Sequence, residues 1–305
     1  MPFDFDAVTA PFRMQPGLRR LAPGTVQLTP AALGGRHFTE KLAALRQHPE
    51  HALLVSPGFD ATPALHALAA EAGTRHPDCF QWHEVERRFD ARALGWSVAD
   101  GEVAGVGPAE VGDLLRSLAS GWRLAALLSL SLVQDLAVID GRTAGIPWLA
   151  VCLPSRWAPE TKIGRHFAEV HAPVADNELL VRAGAQLAQL VTGTTRWERF
   201  VWSIVPDPAL MQHPAHAARL PWPSEGELGA SFRTEHQTFI PLPAHRQALF
   251  TIEVESRPLA QALDTPERAR RLHAALASMS PAVLHYRGLS EVRTRLLEEI
   301  GTRAG

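Results

Sequence analysis

Only two cysteines, Cys79 and Cys152, occur in 305 residues, and no C-x-x-C pair is present. Two isolated thiols build no disulfide framework, and a cysteine zinc site or cysteine-held iron–sulfur cluster lacks its ligands. A reducing cytoplasm is the expected compartment. A cationic excess is missing too. The formal net charge is -2 and no basic block occurs, so no nucleic-acid partner is expected. Long apolar runs are also lacking. The most apolar, LAALLSLSLV at 124–133, lies between Arg123 and Asp135. It is too short to cross a bilayer, so no membrane role is expected and the run reads as a buried helix continuing to about Asp140. The N-terminus, MPFDFDAVTAPFRMQPGL, is acidic and then proline-bearing, unlike a secretory signal. A soluble protein is the expectation.

Nucleotide and hydrolase motifs are absent as well. HEVER (83–87) begins like a zinc-protease helix but has no second histidine. GVGPAE (105–110) offers two glycines where a dinucleotide fingerprint needs three. No phosphate-binding loop and no G-x-S-x-G elbow occur. A redox activity in this chain would therefore draw its electrons from another protein.

What is present is an ordinary globular composition, 46% hydrophobic and 20% charged, enough for a substantial core. Pro11, Pro16, Pro23 and Pro30 mark residues 1–35 as an extended arm, with 36–305 expected to form one domain. Helices are predicted at 39–49, 62–73, 108–120, 177–191, 265–279 and 289–301. The second has Thr62 as N-cap, Pro63 at the first helical position and Gly73 near its end. Strands are predicted at 146–154, 199–205, 232–240 and 247–255, where β-branched and aromatic residues are bounded by turn residues. No internal repeat, coiled coil or low-complexity linker is apparent. The pattern predicts an α+β fold, with an antiparallel sheet in the second half flanked by helices.

Two stretches carry candidate chemistry. GRHFAEVHAPVAD (164–176) places His166 and His171 five residues apart, about 140° apart on a helix and on opposite faces of a strand. The pair therefore does not chelate one ion together, and no further cysteine or histidine follows nearby to complete a zinc site. A single histidine holding a haem needs only an apolar pocket; a histidine packed in a turn before proline is the other reading. In FRTEHQTFI, Arg233, Glu235 and Gln237 share one strand face while Thr234, His236 and Thr238 share the other. Neither face is apolar. The strand is either an exposed edge or the wall of a polar cavity in which a carboxylate lies beside a guanidinium.

PFRMQPGL near the start, PWLAVCLPSRWAPETKIGRHFAEVHAPV, RFVWSI and FRTEHQTFIPLP…ALFTIEVESRPL follow one another as in a known family. Over roughly residues 10 to 285 the chain resembles the haem-dependent oxidative N-demethylases. The most specific parts are P-S-x-W…K-I-G…H-x-P-V and the R-x-E-x-Q-T strand. The resemblance implies a PAS-like haem-binding core, at about 145–260, embellished by helices. It implies haem b as cofactor and oxidation of a small methylated amine, such as dimethylamine, by O2. The carbinolamine formed would collapse to formaldehyde and the shorter amine. Electrons would come from a separate flavin and iron–sulfur reductase; assembly into a homo-oligomer stays open.

The family's histidine before x-P-V falls on His171, the implied axial ligand, with Pro173 fixing the chain's exit and His166 facing a propionate or solvent. Its arginine and glutamate of the late strand fall on Arg233 and Glu235, the implied catalytic pair, in which Arg233 holds Glu235 ionised by charge pairing. Lys162, Arg165 and Arg199 are candidates to neutralise the propionates. Trp148, Trp157, Trp197 and Trp202 are candidates for the dry wall. Cys152, in an apolar strand, is read as packed there rather than as a thiolate ligand. Three positions depart from the family pattern: Val201 stands for an asparagine, His236 for an arginine, and Gln134-Asp135 for a Glu-Asp pair. They imply a retained haem site with an altered substrate pocket. A haem-binding PAS-like sensor or carrier without turnover is the alternative.

Overall fold

The computed structural model describes residues 3–217 and 220–305, with only the backbone of Leu180. The chain opens with a 3-10 turn at Phe5–Ala7 and a short strand, β1 (Arg19–Arg20). Then come α1 (Arg36–Gln47), the single turn α2 (Pro49–Ala52), β2 (Leu53–Val55) and α3 (Thr62–Arg75). Four short strands follow, β3 (Phe80–His83), β4 (Arg88–Ala91), β5 (Trp96–Ala99) and β6 (Glu102–Gly105), then α4 (Ala109–Ser117) and α5 (Ser120–Ser131). The second half contains β7 (Asp135–Asp140), β8 (Gly145–Ala150), α6 (Phe167–His171), α7 (Glu178–Val191), β9 (Trp197–Val205), β10 (Ser231–Leu242) and β11 (Gln247–Pro258). Helices α8 (Leu259–Ala262), α9 (Pro266–Ala277), α10 (Pro281–Tyr286) and α11 (Arg293–Gly301) close the chain.

The α+β expectation is met: helices pack on an antiparallel seven-stranded sheet ordered β1-β9-β10-β11-β7-β8-β2. Its five longer strands, β7 to β11, are consecutive in sequence, and the first, β7, pairs with the last, β11. The segment between β8 and β9, holding α6 and α7, lies over one face. There Ile139, Ala188, Val191, Phe239 and Ala248 form one cluster, and Ala137, Leu149 and Val151 a second that includes Trp157 and Ile163. The opposite face packs Leu136, Val138, Trp148, Ile240 and Leu249 against α1, α3, α5 and the small sheet. Beside them Trp202, Ile204 and Phe232 meet the C-terminal helices and Phe3, Phe5 and Phe12 of the arm.

Three expectations change. The helix of the apolar run stops at Ser131, and Asp135–Asp140 is strand β7. A run buried on all sides has no polar residues to give it a period, so helix and strand look alike in sequence. The second change is a four-stranded sheet, β3-β4-β5-β6, that was not predicted. Its strands are four residues each and interspersed with charge. HEVER lies at the end of β3 and the turn beyond it, and the GVG glycines serve this sheet. A Cβ on Gly107 would sit 1.9 Å from the Leu94 carbonyl oxygen, and one on Gly105 2.3 Å from that of Gly95. Close backbone crossing, not phosphate binding, explains those glycines. Third, the α3 N-cap is Ala61 rather than Thr62, whose amide is held by Asp60 Oδ1 at 2.9 Å, and Gly73 lies inside the helix.

Lys41, fully buried on α1, anchors the turn into β7. Its Nζ donates to the carbonyls of Leu132 (3.0 Å) and Gln134 (2.6 Å) and lies 3.3 Å from Asp135 Oδ1. Asp135 Oδ2 accepts from the Leu153 amide at 2.7 Å. Removing one member of such a pair strands the other charge in the core. Lys41→Ala is expected to cost about 3–5 kcal/mol in urea-unfolding free energy. Lys41→Ala with Asp135→Asn should recover part of it, because no bare charge is left.

Candidate active site

Helix α6 is a single capped turn. His166 is its N-cap: its Nδ1 accepts from the Ala168 amide at 3.1 Å, and Glu169 Oε2 accepts from the His166 amide at 3.1 Å. This reciprocal cap satisfies amides that a helix start leaves open. It gives His166 a local role through Nδ1. The turn ends at His171, whose Nδ1 lies 2.8 Å from the Phe167 carbonyl oxygen one turn back. A carbonyl only accepts, so Nδ1 carries the proton and Nε2 presents a lone pair. The ring stacks on Phe167, centroids 4.1 Å apart. Burial, with Arg199 and Lys162 nearby, pushes its pKa down to about 4, so the imidazole is neutral at pH 7. Asn177 Nδ2 donates to the carbonyls of His171 (3.1 Å) and Ala172 (2.8 Å), closing the turn that contains Pro173.

Opposite α6, the sheet supplies Arg199 from β9 and Glu235 and Gln237 from the adjacent β10. Gln237 pairs with Arg199, and Glu235 with Val201, so these side chains share the face that α6 and α7 cover. Arg199 Nε is buried without a hydrogen bond among the described residues, and burial lowers the guanidinium's pKa against the opposing influence of Glu235. It lines a narrow pocket with Phe167, Leu187, Val191, Ile139 and Phe239, holding about 30 Å³ of free space. Lys162 Nζ donates to the Val170 carbonyl at 2.9 Å, beside His171. The Arg165 side chain is exposed at the edge of this layer.

β10 is no edge strand: it lies between β9 and β11 along most of its length. Its arginine corrects a second expectation. Arg233 and Glu235 share a face but form no ion pair. The Arg233 guanidinium, 1% exposed, donates to Ser155 Oγ (2.8 Å) and to the carbonyls of Ala209 (2.8 Å), Leu210 (2.8 Å) and Leu153 (3.4 Å). A buried guanidinium needs acceptors for all its donors, and main-chain carbonyls of two loops meet that need before a carboxylate does. Glu235 instead accepts from Gln237 Nε2 at 2.6 Å, a partner that the strand alternation had already placed on its face.

The three departures do not share a pocket. Val201 stands beside Glu235 on the α6 side, whereas His236 and Gln134 lie on the opposite face. There His236 Nε2 meets Glu198 Oε2 at 2.8 Å, and Gln134 Nε2 donates to Glu253 Oε2 at 2.6 Å. The tryptophans divide likewise. Trp157 and Trp197 are on the α6 side, while Trp148 and Trp202 pack on the other. Cys152 is buried, and burial with Asp135 nearby pushes its thiol pKa well up, so it is no thiolate. Sequence reasoning missed Phe167, whose carbonyl and ring fix His171; its signal was the helical spacing of four residues.

Residues 36–297 match the family model described as haem-dependent oxidative N-demethylase, alpha subunit-like. The chain belongs to this family. Among curated proteins none matches it. The family is named for haem dependence, and the donor set described above suits that group. A neutral imidazole, a guanidinium whose buried Nε has no hydrogen-bond partner among the described residues, and apolar walls converge between α6 and the sheet. The free space there, about 30 Å³, is small beside a ligand pocket's several hundred Å³.

The two arginines of this face are expected to behave oppositely. Arg233→Leu should cost about 3 kcal/mol, since four acceptors lose their donor. Arg199→Leu should leave the haem-free protein within about 1 kcal/mol of wild type or stabilise it, as no hydrogen bond is lost. Paired urea titrations of haem-free protein check both.

Proposed function

We propose that this chain is a cytoplasmic haem b oxygenase subunit that removes a methyl group from a small methylated amine with O2. The carrying observation is the His171 ring, locked through Nδ1 by the Phe167 carbonyl, neutral at pH 7 and with no hydrogen bond to Nε2 among the described residues. His171 would hold the iron through that nitrogen, and Arg199 and Lys162, with Arg165 at the rim, would balance the propionate charges. Five consecutive antiparallel strands with one helical crossover laid on their face support a PAS-like core. Haem, when bound, supplies O2 activation and the two-electron oxidation of an N-methyl carbon.

The chain's residues bind and orient the amine. Glu235 is the anionic group for the ammonium. Gln237 occupies its Oε2, which leaves Oε1 to face the substrate and to take or return a proton. Trp157, Trp197, Phe239 and Phe250 keep water from this side of the sheet. Val201, next to Glu235, removes a polar contact from the pocket wall and favours a less polar amine than the family's usual one. Arg233 acts at a distance, by fixing the loops at the end of β10. The balanced reaction joins one N-methyl amine, one O2, two electrons and two protons. It gives the amine with N–H in place of N–methyl, one formaldehyde and one water. The chain lacks a dinucleotide fingerprint and a cysteine cluster, so a separate flavin and iron–sulfur reductase would donate the electrons. An alpha-subunit-like family fits such a partnership.

The test combines haem content with turnover. His171→Ala should abolish the Soret band and haem occupancy, while His166→Ala retains most of both. Glu235→Gln should keep haem but weaken the amine-induced spectral shift at least tenfold. Reduced protein given O2 and a panel of methylated amines should release formaldehyde. Stable O2 binding with neither spectral shift nor formaldehyde would establish a sensor or carrier instead.

A further inference from the structure

Away from α6, a hexapeptide too short to register as a repeat architecture occurs twice: QHPEHA at 47–52 and QHPAHA at 212–217. Each copy folds as one helical turn with proline second in the turn. His48 caps α2 and His51 sits inside it, while the His216 and Ala217 amides donate to the His213 carbonyl at 3.0 and 2.8 Å. Three residues along a helical turn return to the same side, so each copy presents two imidazoles together. The fold brings the two copies face to face. His48 and His216 stack with centroids 3.4 Å apart, and His51, His213 and His216 form a triangle with sides of 4.8, 4.8 and 4.9 Å. One ligand nitrogen from each of these three lies within 4.8 Å of the others.

Two observations make this more than a crowd of histidines. His216 Nε2 is buried and has no hydrogen-bond partner among the described residues. Glu160, in the 3-10 turn Pro159–Thr161, reaches both other rings. Its Oε1 is 3.2 Å from His51 Nδ1 and its Oε2 3.1 Å from His213 Nε2. A carboxylate accepts only, so it fixes a proton on each of those nitrogens and leaves the opposite nitrogen of each ring as a lone pair. That is how a carboxylate behind a histidine prepares a metal ligand. His213 Nδ1 at present accepts only a weak 3.2 Å bond from the Ala215 amide. Glu50 Oε1, 3.7 Å from His51 Nε2, is within reach of a fourth position. Three imidazoles meeting on one tetrahedral ion at about 2.0–2.1 Å have ring centres about 5 Å apart, close to the triangle observed.

We propose that His51, His213 and His216 bind one divalent transition-metal ion of the zinc class, with Glu160 orienting two of the rings. The donors are borderline nitrogen ligands, which suit zinc, copper or nickel and not calcium or magnesium. The ion would cross-link two segments far apart in sequence, α2 and the β9–β10 loop, while Glu160 ties both to the 159–161 turn that leads towards α6. That loop is already tied to its neighbour, since Gln212 N donates to the Pro154 carbonyl and its own carbonyl accepts from Arg156 N, at 3.0 and 3.1 Å. The ion's role is a clamp, and no step of the amine reaction passes through it.

The test uses full-length, tag-free protein stripped with chelator and reloaded with zinc. Zinc and iron are counted in the same desalted sample, so the clamp is scored separately from haem. One zinc per chain should be retained, with a submicromolar dissociation constant against a chromogenic chelator. X-ray absorption should report nitrogen or oxygen neighbours at about 2.0–2.1 Å and imidazole outer-shell scattering. His51→Ala and His216→Ala, at half-buried positions that spare the buried His213, should each weaken zinc binding about a hundredfold with an unchanged Soret band. Zinc should raise the thermal midpoint of wild type and not of the double variant. Loss of zinc on desalting, or equal affinity in wild type and His51→Ala, overturns the proposal.

Discussion

A buried guanidinium holds one end of this molecule together. Arg233 projects from β10, an interior strand of the sheet, into a region where water cannot solvate it, so its donors must be met by protein. They are met by the chain leaving β8, at Leu153 and Ser155, and by the β9–β10 loop, at Ala209 and Leu210. Both segments thereby take their position from one side chain of β10. Lys41 does the same at the entry to β7, where it gathers the carbonyls of Leu132 and Gln134 and the carboxylate of Asp135. Cations with main-chain acceptors thus set where the long strands begin and end. The sheet face between them is left for α6, α7, Arg199 and Glu235.

The legible parts of this fold were those with a period or a cap. The helices around 62–75, 178–191 and 266–277 and the strands β9 to β11 announce themselves by alternation, heptad-like spacing or proline at the start. The hidden parts fail for physical reasons. Asp135–Asp140 is buried on both faces and has no polar period, so it merges with the helix before it. The small sheet is built of four-residue strands whose apolar content is too low to register. Strand alternation correctly placed Arg233, Glu235 and Gln237 on one face, yet could not say which pairs touch. That depends on loops at 153–155 and 209–210, about which the β10 sequence holds no information.

Histidine shows the same limit. The meaning of His166 and His171 depended on whether a helical turn joined them, and their neighbours carried that signal: Glu169 for the cap, Phe167 for the ring. The repeated QHPxHA was readable as a string, but the two copies are more than 150 residues apart and only the fold makes them neighbours. Their spacing within each copy is local physics; their meeting is topology.

The five-residue length of α6 has a thermodynamic consequence. One turn of helix is unstable by itself, because nucleation fixes several residues for a single hydrogen bond. The turn persists here through the His166–Glu169 cap at one end, Asn177 at the other and packing on α7. Any ligand that needs the His171 ring in this orientation binds only the folded fraction of that turn. Its measured affinity is the intrinsic affinity multiplied by that fraction. Residues that never approach a ligand, Glu169 and Asn177 among them, therefore set part of the site's binding constant, and a partner that docks on α6 and α7 could raise it without adding a single contact to the ligand.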